Sequence, residues 1–478
     1  MEWEGTTMFQ RNLLSDADVE PLGEGVFTVL EKVGILCQNQ EILKALETAG
    51  ARVDYDLEVA TFPRKMQEEF VEQLRREGPK EGDGGPVKFE SPPLPHLGTQ
   101  VAQFFYDYER REVRQGNRRD FIDLIKLGDV LHPEVPVGHS LLLTDVPPLI
   151  EPLEAAMLLA EYAHQPGPAF AWNVNQVDYL IEMGEIYGLE NWFTWGAICF
   201  AHPLRFDKDV ADRFVRRVRA NHPAGLTAMP VAGITTPVTV AGFTVVASAE
   251  ILATWMAARA LNPEVPLTGS MWGGTMDMRR GEVSYCSFDA MFYSFAAVEF
   301  IRRWCGKTLP VGGGEYCDAK LPGLYAALEK AYKAMTIAAF TGRHPPIGGG
   351  MLEEGKTICP VQMLLERDLG LGVQNYGRTV EVTPQTLGLD TIMEVGIGLR
   401  GSYLETEHTL RHFRQSLWLP QFIDRSGWRG FEQEEALLGK IQQRVNELIA
   451  AYEKPQVDPD KLARMREVVE RARRQLLP

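Results

Sequence analysis

Trp172, Trp195 and Trp272 each stand in or near the end of a short apolar run, in Ala171-Trp172-Asn173, Thr194-Trp195-Gly196 and Met271-Trp272-Gly273-Gly274. An indole face attracts a cation that has no N–H to donate, at about 0.5–2 kcal/mol per contact. Three indoles brought to one mouth would form a cage for a quaternary ammonium. A second set follows in Val311-Gly312-Gly313-Gly314-Glu315-Tyr316-Cys317-Asp318-Ala319-Lys320. Consecutive glycines let a ligand approach the backbone closely, and Glu315 and Asp318 then supply carboxylates beside it. A further triplet, Ile347-Gly348-Gly349-Gly350-Met351, ends the next apolar run. The candidate catalytic residues are Glu315 and Asp318. The candidate substrate-binding residues are Trp172, Trp195, Trp272, Tyr316, Gly313, Gly314 and Gly349. Each has a plainer reading: packing for the indoles, tight turns for the glycines, and for Asp318 the cap of a helix starting near Leu321.

Other chemistries lack their residues. No Gly-x-Ser-x-Gly elbow is present, so a serine triad is unsupported. Cys199-x-x-His202 is half a metal site without a third ligand, no Cys-x-x-Cys occurs, and no metal is expected. Six cysteines, at 37, 199, 286, 305, 317 and 359, are too few in 478 residues for a disulfide framework, which points to a reducing cytoplasm. The net charge of −16 disfavours nucleic acid and anionic membranes as partners. No basic segment followed by an apolar one opens the chain, and no run of about eighteen uninterrupted apolar residues occurs. Neither secretion by that route nor a membrane span is expected.

The elements that must position these residues alternate. Short apolar runs at 137–143, 168–172, 193–200, 226–231, 265–272, 309–315 and 345–351 read as strands. Amphipathic stretches at 151–162, 177–187, 209–220, 248–260, 289–304 and 325–340 read as the helices between them. Residues 372–376 are the candidate eighth strand. Repeated strand–helix alternation implies parallel strands with crossover helices. With no Gly-x-Gly-x-x-Gly opening the first unit, a closed (β/α)8 TIM barrel fits better than an open doubly wound sheet. The expected organisation is an N-terminal helical extension over 1–94, the barrel over 95–430, and C-terminal helices over 431–478 packed on the barrel or at a subunit contact. Within the extension, 27–50 reads as two short helices, another begins at Phe62-Pro63, and the Gly-rich 77–85 reads as an exposed loop.

As a set, these segments resemble the trimethylamine:corrinoid methyltransferase superfamily, in the branch without pyrrolysine. The resemblance is carried by Val33-Gly34-Ile35 and 49–54, by Arg119-Asp120, Asp123 and 129–131, and by Asp277, Gly281 and Asp318-Ala319-Lys320. It is most specific in Glu394-Val395-Gly396, Tyr403-Leu404, His408-Thr409, Phe413, Leu419-Pro420, Asp424-Arg425 and Trp428. It implies methyl transfer from a methylated amine to the Co(I) of a separate corrinoid protein, with cobalamin carried by that partner and none tightly bound here. Members acting on trimethylamine carry pyrrolysine, which this chain lacks, so a quaternary amine such as glycine betaine is the implied substrate. A homo-oligomer is expected. Gly323 and Tyr325 stand where the family has an acidic residue and then a glutamine, although Glu329-Lys330 fits; the departure implies a different substrate or an altered activity. The alternatives are a barrel that binds a betaine or a corrinoid protein without turnover, and a barrel lyase or decarboxylase.

Overall fold

The computed structural model describes residues 12–78, 96–201, 203–341, 345, 347–374, 380–397, 401–423, 425, 427, 430 and 432–477. The chain is a mixed α/β protein, 52% helical, with several small sheets. Helices Glu151–Tyr162 and Val177–Tyr187 have the bounds that their apolar spacing predicts. The second stops at Gly188, whose φ of 97° suits only a residue without a Cβ. Lys208–Arg219, Phe288–Cys305 and Leu324–Thr341 fall within a residue or so of expectation. Val240–Leu261 begins eight residues earlier than expected, where the Thr239 hydroxyl accepts the Gly242 N–H. Among the described residues it is the one helix long and apolar enough to cross a membrane, yet 72% of its apolar window is buried inside the protein.

The apolar runs pair in chain order. Ala102 bridges Leu141 and Val137 bridges Pro166, both in parallel. Ala169–Phe170 pairs in parallel with Phe193–Thr194. The Thr227 N–H donates to the Ile198 carbonyl. Ala224–Ala228 runs parallel to Leu267–Met271, and Met271 bridges Val311 in parallel. Thr357–Ile358 then returns to Phe104–Phe105, again in parallel. Close approach sets one residue here: a Cβ on Gly225 would lie 1.7 Å from the Thr268 carbonyl oxygen.

Two expectations are corrected. Residues 372–376 do not form a strand as far as they are described, because Gly372 lies in the helix Pro360–Gln374; Tyr376 lies outside the described residues. The N-terminal part is not purely helical. Between Asp16–Lys32, Gln40–Thr48 and Arg64–Glu77 lie strands Ile35–Cys37, Arg52–Asp54 and Val59–Thr61, and the first pairs with Arg205–Phe206. Three-residue strands are too short to show alternation, and hairpins Phe104–Asp107 with Glu112–Gln115 and Gly274–Asp277 with Glu282–Ser284 escape for the same reason.

Two apolar clusters organise the molecule. One joins the N-terminal elements to 198–311. The other joins 97–195 and 317–365 to the C-terminal helices Gln433–Ala450 and Pro459–Leu476. Buried Glu154 fastens the second, taking Arg118, Arg466 and Arg473 at 3.1, 2.8 and 3.1 Å. Residues 380–421 contrast with both: among those described, only Thr406 is buried.

Candidate active site

The glycine triplet after Leu309–Val311 is dictated by an indole. A Cβ on Gly312 would lie 2.0 Å from the Trp272 ring. That ring donates through Nε1 to the Ser270 hydroxyl at 3.0 Å and meets Tyr316 edge-on at 5.1 Å. Tyr316 meets Tyr285 at 6.2 Å, and the Lys333 ammonium lies 5.9 Å from the Tyr316 centroid while donating to the Tyr285 carbonyl at 2.5 Å. Trp272, Gly313, Tyr285 and Lys333 share the wall of one small cleft.

Glu315 leaves this loop into a buried ionic network. It accepts the Gly349 N–H at 3.0 Å and lies 3.9 Å from the Lys330 ammonium. Lys330 is fully buried and bonds Glu366 at 2.6 Å, and Glu366 also accepts the Gly350 N–H at 3.1 Å. The second glycine triplet therefore donates to both carboxylates. Burial opposes the Lys330 charge, but the attraction of Glu366 outweighs it and keeps the ammonium protonated. Burial raises the Glu315 carboxyl, Lys330 partly opposes this, and the result is about 7. Glu315 also lines a cavity of about 210 Å³ with Thr99, Gln100, Ser140, Ile347 and Gly349. One lysine faces two carboxylates here, and the one bordering the cavity is the one with spare charge to offer.

Asp318 turns another way. Its Oδ2 accepts the Ser284 hydroxyl at 2.8 Å, and the carboxylate is also hydrogen-bonded by its neighbours Glu354 and Cys286. Burial pushes the Glu354 carboxyl up, the contact with Asp318 adds to this, and the result is about 9, so Glu354 holds a proton at neutral pH. For Asp318 itself burial raises the carboxyl, but the hydrogen bonds from Glu354 and Ser284 prevail and hold it low. It does not cap the next helix. That helix begins at Leu324, as the 325–340 spacing predicts and not near Leu321 as the capping reading requires, and the Leu324 N–H donates to Glu434 of a C-terminal helix at 2.7 Å.

Residues 5–477 match the family profile described as trimethylamine methyltransferase (MTTB). The chain belongs to this family. Among its relatives, the trimethylamine methyltransferase MttB of Desulfitobacterium hafniense (strain DSM 10664 / DCB-2) is 24% identical over 86% of this chain and 84% of its own. The trimethylamine methyltransferase MttB2 of Methanosarcina mazei is 27% identical over 58% of this chain and 55% of its own. A glycine betaine methyltransferase of Desulfitobacterium hafniense (strain Y51) is 21% identical over 95% and 96%. The resemblance read from scattered motifs is thus to the family the chain belongs to.

Within this MTTB-family chain the structure brings together some of the candidate residues. Trp272, Tyr316 and Gly313 meet, and Glu315 meets Gly349. Gly314 follows in the same loop and is buried. Among the described residues, Trp172 and Trp195 share no ring partner with Trp272. The Trp172 indole donates to Glu151 at 3.2 Å and packs on Phe170 at 4.3 Å. Trp195 is buried against Phe193 and His222 at 5.0 and 5.9 Å. Of the Cys199-x-x-His202 pair, burial lifts the Cys199 thiol to about 11, and His202 lies outside the described residues. Sequence reasoning missed Lys333, Glu354 and Glu366, and assigned Lys330 no role in the site. A signal existed: Lys330 and Lys333 lie one turn apart on an otherwise apolar helix face, next to Ala326, Ala334 and Ile337.

Proposed function

We propose that this chain moves a methyl group from a quaternary (or tertiary) methylated amine to the Co(I) of a corrinoid on a separate carrier protein, inside a (β/α)8 barrel. The barrel is supported by the parallel pairings that run in chain order from Ala102 to Val311 and return from Thr357–Ile358 to Phe104–Phe105. The proposed span is 95–430, with 1–94 and 431–478 outside it. The observation that carries the substrate reading is Glu315: a half-neutralised carboxyl on the wall of a cavity of about 210 Å³, large enough for a small betaine.

The chain's residues have limited chemistry to perform. A quaternary ammonium has a neutral tertiary amine as its leaving group, and the C–N electron pair stays on nitrogen, so no general acid is required. The corrinoid, when bound, supplies the reduced cobalt that acts as nucleophile. Glu315 binds and orients the cationic head. Because that charge dissipates on transfer, a carboxylate stabilises the bound substrate more than the transition state. Gly349 borders this cavity and allows close approach. Trp272, Tyr285 and Gly313 line a separate small cleft reached from the same 312–316 loop, with Tyr316 packed edge-on against both rings and Gly314 between. In this reading they supply the aromatic side of the site. Trp172 and Trp195 are left out of the cage because their rings are engaged elsewhere. Asp318 shapes the wall without touching the amine.

The exposed surface fits a carrier. Ile234, Val238, Met278, Phe288, Leu321 and Tyr325 follow the ends of the parallel runs and are all more than half exposed. Met278 and Val238 flank Gly233. Such an apolar rim suits a docking protein that presents a macrocycle. The exposed Val380, Met393, Ile397 and Leu404 suit burial against a second copy, consistent with a homo-oligomer.

The test is methylation of free cob(I)alamin, followed by its visible spectrum, with glycine betaine and trimethylamine compared. Turnover of the betaine with little or none of trimethylamine is expected. Faster demethylation of trimethylamine overturns the substrate assignment, and betaine binding without spectral change identifies a non-catalytic binder.

A further inference from the structure

The cavity beside Glu315 has a second polar wall. Val137 and Leu141 form parallel bridges to Pro166 and Ala102, so the run between them is extended and its side chains alternate between two faces. Val137, His139 and Leu141 take one face, and all three are buried. The His139 ring lies 5.5 Å from that of Phe121, and its Nε2 lies 3.0 Å from Glu151. This face therefore meets the helices Arg118–Leu131 and Glu151–Tyr162. Gly138 and Ser140 take the other face, toward residues 97–100. Gly138 is there because a Cβ would lie 2.3 Å from the Thr99 hydroxyl. Thr99 and Ser140 border the cavity together with Glu315.

The Ser140 hydroxyl is an orphan. The residue is only 2% exposed, and its Oγ has no hydrogen-bond partner among the described residues. A buried hydroxyl without a partner is unfavourable, and an acceptor on a ligand removes the penalty. The adjacent groups are already engaged. Thr99 donates its hydroxyl to the Pro168 carbonyl at 2.9 Å, and the Ser140 carbonyl accepts the Ala102 N–H at 3.0 Å. Among the described residues that line the cavity, none is a lysine or an arginine. The cavity thus offers an acidic group at Glu315, a neutral donor at Ser140, and apolar surface from Leu97, Ile347, Met351 and Ile358.

We propose that Ser140 determines the specificity of the amine site: its hydroxyl donates to an oxygen on the tail of the substrate while Glu315 takes the ammonium. This rests on the reading of the cavity as the amine site. The ligand class is then a quaternary ammonium whose tail carries an oxygen acceptor, either the carboxylate of a betaine or the hydroxyl of an amino alcohol. Of the two, the carboxylate makes the stronger bond to a neutral donor, because its charge assists it. Tetramethylammonium occupies the cationic end and leaves Ser140 unpaired. A site built around a buried polar group rejects the analogue that cannot bond to it, since the group then stays unsatisfied.

The test is calorimetry on the full-length protein with three probes: glycine betaine, choline and tetramethylammonium. Ser140→Ala should weaken glycine betaine about tenfold and change tetramethylammonium less than about twofold. Glu315→Gln, by contrast, should weaken all three. A Ser140→Ala loss confined to choline supports the same donor with a hydroxyl tail in place of a carboxylate. The ligand-free Ser140→Ala protein should melt no lower than the parent, because the change removes a hydroxyl that has no partner. Equal losses for all three probes in Ser140→Ala overturn the proposal, as does no loss for either oxygen-bearing probe. A clearly lower Tm of the ligand-free variant also overturns it, by showing a hydroxyl already bonded within the fold. Failure of the underlying reading looks different: the parent then binds none of the three probes, and the proposal falls with it.

Discussion

Glu315 and Asp318 lie three residues apart on one loop and live in opposite electrostatic worlds. Glu315 joins a network with its own buried lysine, Lys330, and two backbone N–H groups from 349–350. Asp318 faces another carboxyl, Glu354, with the nearest ammonium engaged elsewhere. The first region has its charge nearly balanced from within and opens on a cavity. The second has acid to spare and is closed off by packing. One loop thus sets a carboxyl on the wall of a cavity on one side and pairs a carboxylate with a protonated carboxyl on the other. A small difference in direction of the chain decides which.

The comparison breaks most severely at Lys330. Lys330→Met strands Glu366 and Glu315 in the interior, and removing one partner of a buried pair costs about 3–5 kcal/mol. Chemical denaturation should show that loss, with partial recovery when Glu366→Gln is added. A loss below about 1 kcal/mol means the network is not what holds this region.

Gly312→Ala is the next test. With its Cβ driven into the Trp272 ring, the indole must move, at about 1–3 kcal/mol for an overpacked site. Betaine binding should weaken with it, measured by calorimetry. Wild-type affinity at wild-type stability would show that Trp272 does not line the amine site.

A third prediction concerns pH. A bound cation favours the ionised form of Glu315, whose carboxyl lies near 7 in the free protein. Affinity should therefore rise with pH and be about tenfold weaker at pH 6 than at pH 8, with Glu315→Gln flattening the profile. The same shift acts on folding with the opposite sense from an ordinary carboxylate. The folded state prefers protonated Glu315, so this group's contribution falls as pH rises from about 4.5 to about 7 and is constant above that. The smallest effect is expected at Trp172→Phe, which should change betaine affinity less than twofold, because its indole is bonded to Glu151.

The helices were legible because their apolar spacing, caps and stops agree. Val177–Tyr187 has its Gly188, and Phe288–Cys305 has Ser287 before it and Gly306 after. The paired runs were legible as apolar stretches, but their lengths were not. Ala169–Phe170 and Phe193–Thr194 are only two residues each, since ladder hydrogen bonds, not composition, set where a strand ends. The loop that carries Glu315 and Tyr316 and packs on Trp272 was legible as a candidate site through the glycines beside them. Glu366 and Glu354 were not, because a carboxylate inside Pro360–Gln374 or in a polar turn looks like solvated surface until the fold buries it. Cage membership for Trp172 and Trp195 was inferred from position alone, and position along a strand does not say which side an indole takes.

The most direct measurement of the central claim is the steady-state kinetics of Glu315→Gln with glycine betaine and cob(I)alamin, alongside substrate affinity by calorimetry. A carboxylate that binds a cation whose charge is lost on transfer predicts a several-fold weaker Kd and KM with kcat largely intact. A large loss of kcat with unchanged Kd contradicts the account and assigns Glu315 to proton transfer or to placement of the methyl group.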